Sequence, residues 1–220
     1  MNLILGLPLI SSALCSGLLA LYLLLQTDAE ARLAELMRRW ESFEAISGRF
    51  EQRLASPTGE ISRMVGRFWI AGDRFRIESG GQELISDGRT LWIYNPEQKR
   101  ALRMAYEPGA EPEWSPPALW RGRWRERFRV RSLSEKTLPD GRRAVCFALE
   151  ARNPGLTPQQ LLLCVEQKSG LPAQLELSDP GQSEPVRIRI WDVRINPPLR
   201  PDRFRFTPPP GTQVVDMRGG

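Results

Sequence analysis

Apolar residues first repeat with the period of a helix and then, from about Ser47-Gly48 onward, with the period of a strand. Thr27-Asp28-Ala29-Glu30 has the form of a capping box, in which the first and last side chains satisfy free backbone N–H groups. Leu33, Leu36, Met37, Trp40 and Phe43 follow at spacings of three and four. This predicts a helix over 28–46, ending near Ser47-Gly48. Beyond it, one face carries Phe68 and Ile70, Phe75 and Ile77, Leu91 and Ile93, then Leu102 and Met104. The series continues with Phe128 and Val130; Val145, Phe147 and Leu149; Leu161, Leu163 and Val165; Leu175 and Leu177; Val186, Ile188 and Ile190; Phe204 and Phe206. Arginine dominates the alternate positions, as at Arg67, Arg76, Arg103, Arg129, Arg187 and Arg189. Turn signals such as Ser86-Asp87-Gly88, Pro139-Asp140-Gly141 and Asp179-Pro180-Gly181 separate the runs. This is the pattern of an antiparallel sheet with one wet face.

The expectation is a mainly β (α+β) single domain over 28–220 with about 10 to 11 strands. A stretch over 106–118 reads as a loop leading into a short helix near 115–124. So broad an apolar face must be covered by something. One firm helix and one weak one cover it poorly. Two solutions remain open: a sheet that closes and fills with side chains, or a half-barrel with an apolar cavity under a helical lid. A cavity of that kind suits a lipid-like ligand.

Composition narrows the chemistry. The 220 residues contain no histidine, which excludes Ser–His–Asp and Cys–His catalysis and His-ligated zinc. No phosphate-binding glycine loop and no C-x-x-C is present. A binding or carrier protein fits better than an enzyme, and no metal or cofactor is implied. The net charge is +5, and only Lys99, Lys136 and Lys168 among the basic residues are not arginine. Arg121, Arg123, Arg125, Arg127, Arg129 and Arg131 recur at every second position. With Trp120 and Trp124 they permit nucleic-acid stacking, but the N-terminus argues against nucleic acid. An acidic partner or anionic headgroups are the other use.

Leu3 to Leu25 bears no charge and is long enough to cross a bilayer. Residues 1–27 therefore read as a signal peptide or an uncleaved signal-anchor, and both send 28–220 out of the cytoplasm. Cys146 and Cys164 fall opposite one another if a hairpin is centred on Gly155. In an oxidising compartment a cross-strand disulfide fits, with two free thiols as the alternative.

Three blocks resemble the outer-membrane lipoprotein carrier (LolA) family. They are Phe50-Glu51-Gln52 with Gly66-Arg67-Phe68-Trp69-Ile70, then the run Asp87 to Pro96 (DGRTLWIYNP), then Phe204 to Gly211 (FRFTPPPG) with Val214-Val215-Asp216. The resemblance implies an unclosed antiparallel β-barrel with a helical lid over an apolar cavity. It also implies a periplasmic monomer that takes acylated lipoproteins from an inner-membrane transporter to an outer-membrane acceptor. The expected acyl site comprises Leu33, Leu36, Met37 and Trp40 on the lid. Below it lie Phe50, Phe68, Ile70, Phe75, Ile77, Leu91, Ile93, Leu102 and Met104, with Trp92 and Tyr94 among the adaptable side chains. Where family members carry Lys-Arg-Pro, with the arginine holding the lid, this chain reads Ala71-Gly72-Asp73-Arg74, so Arg74 is the candidate for that task. An uncleaved anchor would instead imply a tethered lipid- or lipoprotein-binding or sensor domain of the same fold.

Overall fold

The computed structural model describes residues 28–55, 60–108, 116–121, 124–155, 157–181 and 184–218. The expected signal or anchor in 1–27 lies outside them. Among the described residues no helix is long and apolar enough to cross a membrane. A helix over 28–41 (α1) opens the description. Six strands follow: β1 (Ile46–Ala55), β2 (Ile61–Ala71), β3 (Arg74–Ser79), β4 (Gln82–Ser86), β5 (Thr90–Asn95) and β6 (Arg100–Ala105). Two short helices, α2 (Pro116–Arg121) and α3 (Trp124–Arg127), precede β7 (Phe128–Thr137), β8 (Arg143–Ala151), β9 (Gln160–Glu166), β10 (Pro172–Ser178), β11 (Val186–Ile195) and β12 (Gln213–Asp216).

The strands form one sheet in the order β12-β6-β5-β4-β3-β2-β1-β11-β10-β9-β8-β7. Its ends, β12 and β7, do not pair, so the barrel is unclosed. Every pairing is antiparallel except that of β12 with β6. The inner face is continuous in register: Ile46 faces Ile70, Ile70 faces Phe75, Phe68 faces Ile77, and Ile77 faces Leu84. On the other side of β1, Phe50 faces Ile190, Ile188 faces Leu175, Leu175 faces Leu163 and Leu163 faces Phe147. These side chains join those of α1 in one buried cluster. The outer face carries ion pairs, including Arg67 with Glu78 (3.3 Å), Arg189 with Asp140 (3.2 Å) and Arg129 with Glu150 (2.8 Å).

Three strands beyond those expected, β1, β4 and β12, complete the sheet. The helix ends at residue 41, not 46, because the following backbone is committed elsewhere. Ser42 and Phe43 close it with N–H bonds to Arg39 O and Trp40 O, and Asn196 Oδ1 accepts the N–H groups of Glu44 and Ala45. Ser47-Gly48 lies within β1. The inward row of β1 includes Gly48, which hides its alternation. A Cβ at Gly48 would come 2.7 Å from the Phe68 ring, and one at Gly66 would come 2.6 Å from the Phe50 ring. Each phenylalanine thus lies over the glycine facing it on the neighbouring strand.

Phe204 and Phe206 do not form the expected inward strand. Pro197, Pro198, Pro201 and Pro208 to Pro210 supply no N–H for a ladder, so the segment crosses the outer face instead. Phe204 closes a 3-10 turn, Pro201–Phe204. Phe206 packs on Trp92 and Tyr94 with centroids 5.3 and 5.0 Å apart. Trp92 and Tyr94 therefore belong to an outer aromatic layer and not to the inner face. Only at β12 does the chain pair again.

Candidate functional site

The inner face is assembled from α1 downward. Ala29, Leu33, Met37 and Trp40 recur at three and four residues, so all four fall on one side of α1, and all are buried. Leu36 is half-buried at the margin of that stripe. At the C-terminal end of α1, Trp40 donates its Nε1–H to Gly170 O, in the β9–β10 turn, at 2.8 Å. Gly170 has a φ of 67°, a left-handed conformation that glycine adopts without strain, and the Arg39 guanidinium lies against it. From α2, Leu119 and Trp120 enter the same cluster, and Trp120 meets Trp40 edge-on at 5.7 Å.

Beneath the helices lie Phe50, Phe68, Ile70, Phe75 and Ile77, all buried. Together with Leu33, Met37 and Trp40 they form a single apolar cluster, against which Leu36 and Leu91 pack. Ile93, Leu102 and Met104 share this face by register, since Ile93 faces both Leu84 and Leu102, and Leu91 faces Met104. They are only half-buried, as are Leu84 and Leu91. Coverage is therefore uneven: it is complete over β1–β3 and β8–β11 and partial over β4–β6.

The space under α1 is occupied by side chains. Trp40, Met37, Phe68, Phe147, Leu119, Leu163 and Leu175 are all almost fully buried. Of the two solutions left open by the sequence, the sheet stays unclosed, and side chains of the described residues pack the region under α1. The edge of α1 borders a small cleft of about 280 Å³ lined by Arg32, Leu36, Arg39, Val145 and Val165. A larger groove of about 770 Å³ lies elsewhere, around Arg49, Arg67, Trp69, Asp192 and Arg194. Its guanidinium groups are partly engaged: Arg49 stacks on Trp191, while Arg67 and Arg203 both stack on Trp69.

Residues conspicuous in the sequence sort differently in space. Trp120, read as a stacking platform among arginines, is buried under α1 and offers no such surface. Arg129 and Arg131 both pair with Glu150, whose carboxyl they hold below its ordinary range. The side chains of Arg121, Arg123 and Arg125 lie outside the described residues. Cys146 and Cys164 face one another and are joined by a disulfide on the outer face, within a small cluster with Leu138, Ala144 and Ala173. Among the described residues no three acidic or thiol groups gather in a way that could hold a metal. Leu119 and Trp120 were not legible as members of the inner core, because a helix of six residues is too short to show a period; Tyr106, one residue past β6, continues the alternation of Leu102 and Met104 but falls in the stretch over 106–118 that reads as a loop.

Comparison with known proteins places this chain in a family. The family model for the outer membrane lipoprotein carrier protein LolA matches residues 41–207. The chain belongs to the LolA family. An outer-membrane lipoprotein carrier protein of Alkalilimnicola ehrlichii is 32% identical over 215 residues, covering 94% of both chains. One from Halorhodospira halophila is 28% identical over 202 residues, covering 90% of this chain and 91% of its own. Among solved structures, an uncharacterized conserved protein of Thermus thermophilus superposes with a TM-score of 0.55 at 13% identity. That match covers 84% of this chain and 99% of the other, and it shows the shared fold.

Arg74, the lid-holding candidate, is not at the lid. It begins β3 beside the inward Phe75, so its own side chain takes the outer face, where its guanidinium lies 5.3 Å from the centre of the Phe204 ring. In this LolA family member the helix is tied instead by the Trp40–Gly170 hydrogen bond.

Proposed function

We propose that the inner face under α1 takes up the acyl chains of lipoproteins, and that the protein ferries them across the periplasm from an inner-membrane transporter to an outer-membrane acceptor. The observation that carries this reading is a mainly apolar sheet face closed mainly by one helix and left half-covered over β4–β6. Family membership supplies the cargo class. The outer-face disulfide suits an oxidising compartment, and the described residues of the inner face offer apolar side chains for burial.

Magnitudes favour opening by cargo. Exposing Leu33, Met37 and Trp40 costs about 2 kcal/mol each, or roughly 6 in all. Each buried methylene returns ~0.8 kcal/mol, so one myristoyl-length chain is worth on the order of 10 kcal/mol. The two or three chains of an acylated lipoprotein together outweigh the displacement of α1, and the refilling of the face by α1 aids release to the acceptor.

Native mass spectrometry of the secreted protein, offered a triacylated lipopeptide, tests the proposal. The expected result is a one-to-one complex that Leu36→Glu weakens at least tenfold while the apo protein keeps its fold; a clean apo mass for the parent protein overturns it. The uncharged run from Leu3 to Leu25 favours a second reading, a tethered lipid- or lipoprotein-binding or sensor domain. Recovery of the mature chain in the membrane fraction, with its N-terminus intact, would select that reading over a diffusing carrier.

A further inference from the structure

Two tryptophans meet under α1, and only one has its N–H satisfied. Trp40 donates to Gly170 O. Trp120 is 4% exposed, and among the described residues no atom accepts from its Nε1. Its ring packs against two aromatic partners, Trp40 edge-on at 5.7 Å and Phe43 at 6.4 Å. Buried donors in native proteins almost always find an acceptor, and an orphan costs more than a made bond returns. Phenylalanine would serve the packing at this position without that cost. The unpaired donor, moreover, belongs to the inner apolar cluster, where α1 would be displaced, and not to the wet outer face.

We propose that Trp120 recognises the polar linkage of the cargo, donating Nε1–H to an ester carbonyl at the head of the acyl chains; this rests on the carrier reading above. Hydrocarbon tails alone are the same on a lipoprotein as on any alkyl amphiphile, so an apolar face by itself does not discriminate between them. The ester carbonyls sit where the chains meet the glyceryl head, and their oxygens, set one bond off the chain, offer an acceptor that the oxygens of an ether linkage do not place at the same position. Among the described residues of the empty protein this donor has no acceptor. When cargo displaces α1, the same donor gains its acceptor, so loading is favoured by one hydrogen bond in addition to the transfer of methylenes. Trp120 acts here as a specificity residue that touches the ligand, while Trp40 positions the lid.

The test compares two synthetic dye-labelled lipopeptides that differ in one feature, a diacylglyceryl head with ester-linked chains and the same head with ether-linked chains. Binding of each to the full-length protein is measured by fluorescence polarisation. The expected result is that the ester form binds about tenfold tighter, the worth of one hydrogen bond. Trp120→Phe should then remove that preference by weakening the ester form alone. Equal weakening of both ligands, or no change in either, overturns the proposal and leaves Trp120 as packing. A parent protein that binds both ligands equally overturns it without recourse to any variant. A parent protein that takes up neither ligand overturns the carrier reading itself, and this assignment falls with it.

Discussion

Single residues decide how firmly the inner face is shut. The indole N–H of Trp40 is a single bond between α1 and the β9–β10 turn, and a net intramolecular hydrogen bond contributes about 1 kcal/mol. Trp40→Phe keeps the ring and removes the bond. It should lower stability by about that amount in urea titration while raising affinity for acylated peptide, because the closed state loses more than the open one. A variant that is less stable and also binds more weakly would show that Trp40 serves the cargo and not the latch. On the outer face, the hydrogen bond from Arg142 holds the carboxyl of Asp140 at about 2; burial opposes this, and Arg189 adds to it. The depressed value means that the ionised group stabilises the fold above its ordinary pKa near 4. That contribution is lost as the pH falls from about 4 toward 2. Asp140→Asn should therefore flatten the loss of thermal stability across that window and be less stable than the parent at neutral pH.

Elements fit one another through the paired glycines and phenylalanines of β1 and β2. Each ring occupies the space that a Cβ on the facing strand would need. Gly66→Ala would drive the new methyl into both the Phe50 ring and Glu78 O, so neither a rotamer change nor a small shift relieves it. The expected cost is about 1–3 kcal/mol, measurable by chemical denaturation. Gly72→Ala makes the contrast, since open space surrounds its Cβ and only its positive φ of 57° opposes the change. The same element shows why β1 escaped a reading based on alternation. Its inward positions run Ile46, Gly48, Phe50 and Gln52, and two of the four carry no apolar side chain. By contrast β8 to β11 alternate cleanly because their inward residues meet other strands and α1 with nothing but hydrocarbon. The C-terminal FRF misled for the opposite reason: its period fits a strand, but the prolines around it deny the ladder its donors.

At the scale of the whole molecule the two faces of the sheet have separate tasks. The inner face holds the proposed cargo site, and the outer face holds the disulfide, the ion pairs and the C-terminal aromatic layer. The bridge closes a loop between residues 18 apart, which in the chain-entropy view stabilises by about 3 kcal/mol. Replacing Cys146 and Cys164 together with Ser should lower the denaturation midpoint accordingly and leave lipopeptide affinity unchanged. A loss of affinity in the folded double variant would mean that the faces are coupled through β8 and β9.

The sequence by itself determined the period of each segment, and hence a helix followed by an antiparallel sheet with one apolar face. It also placed Cys146 opposite Cys164, because a hairpin register is fixed by arithmetic once its turn is placed, while the bond itself stood beside the alternative of two free thiols. These are local properties, set by residues within a few positions of one another or across one tight turn. Only the tertiary structure decided that β12 returns in parallel to β6, that the proline-rich segment covers the outer face, and that Arg74 faces Phe204 and not α1. Each depends on which backbone groups remain unpaired after the rest of the sheet has formed. The packing of Trp120 beside Trp40 belongs to the same class, since those two rings are 80 residues apart in the chain and no spacing within either segment brings them together.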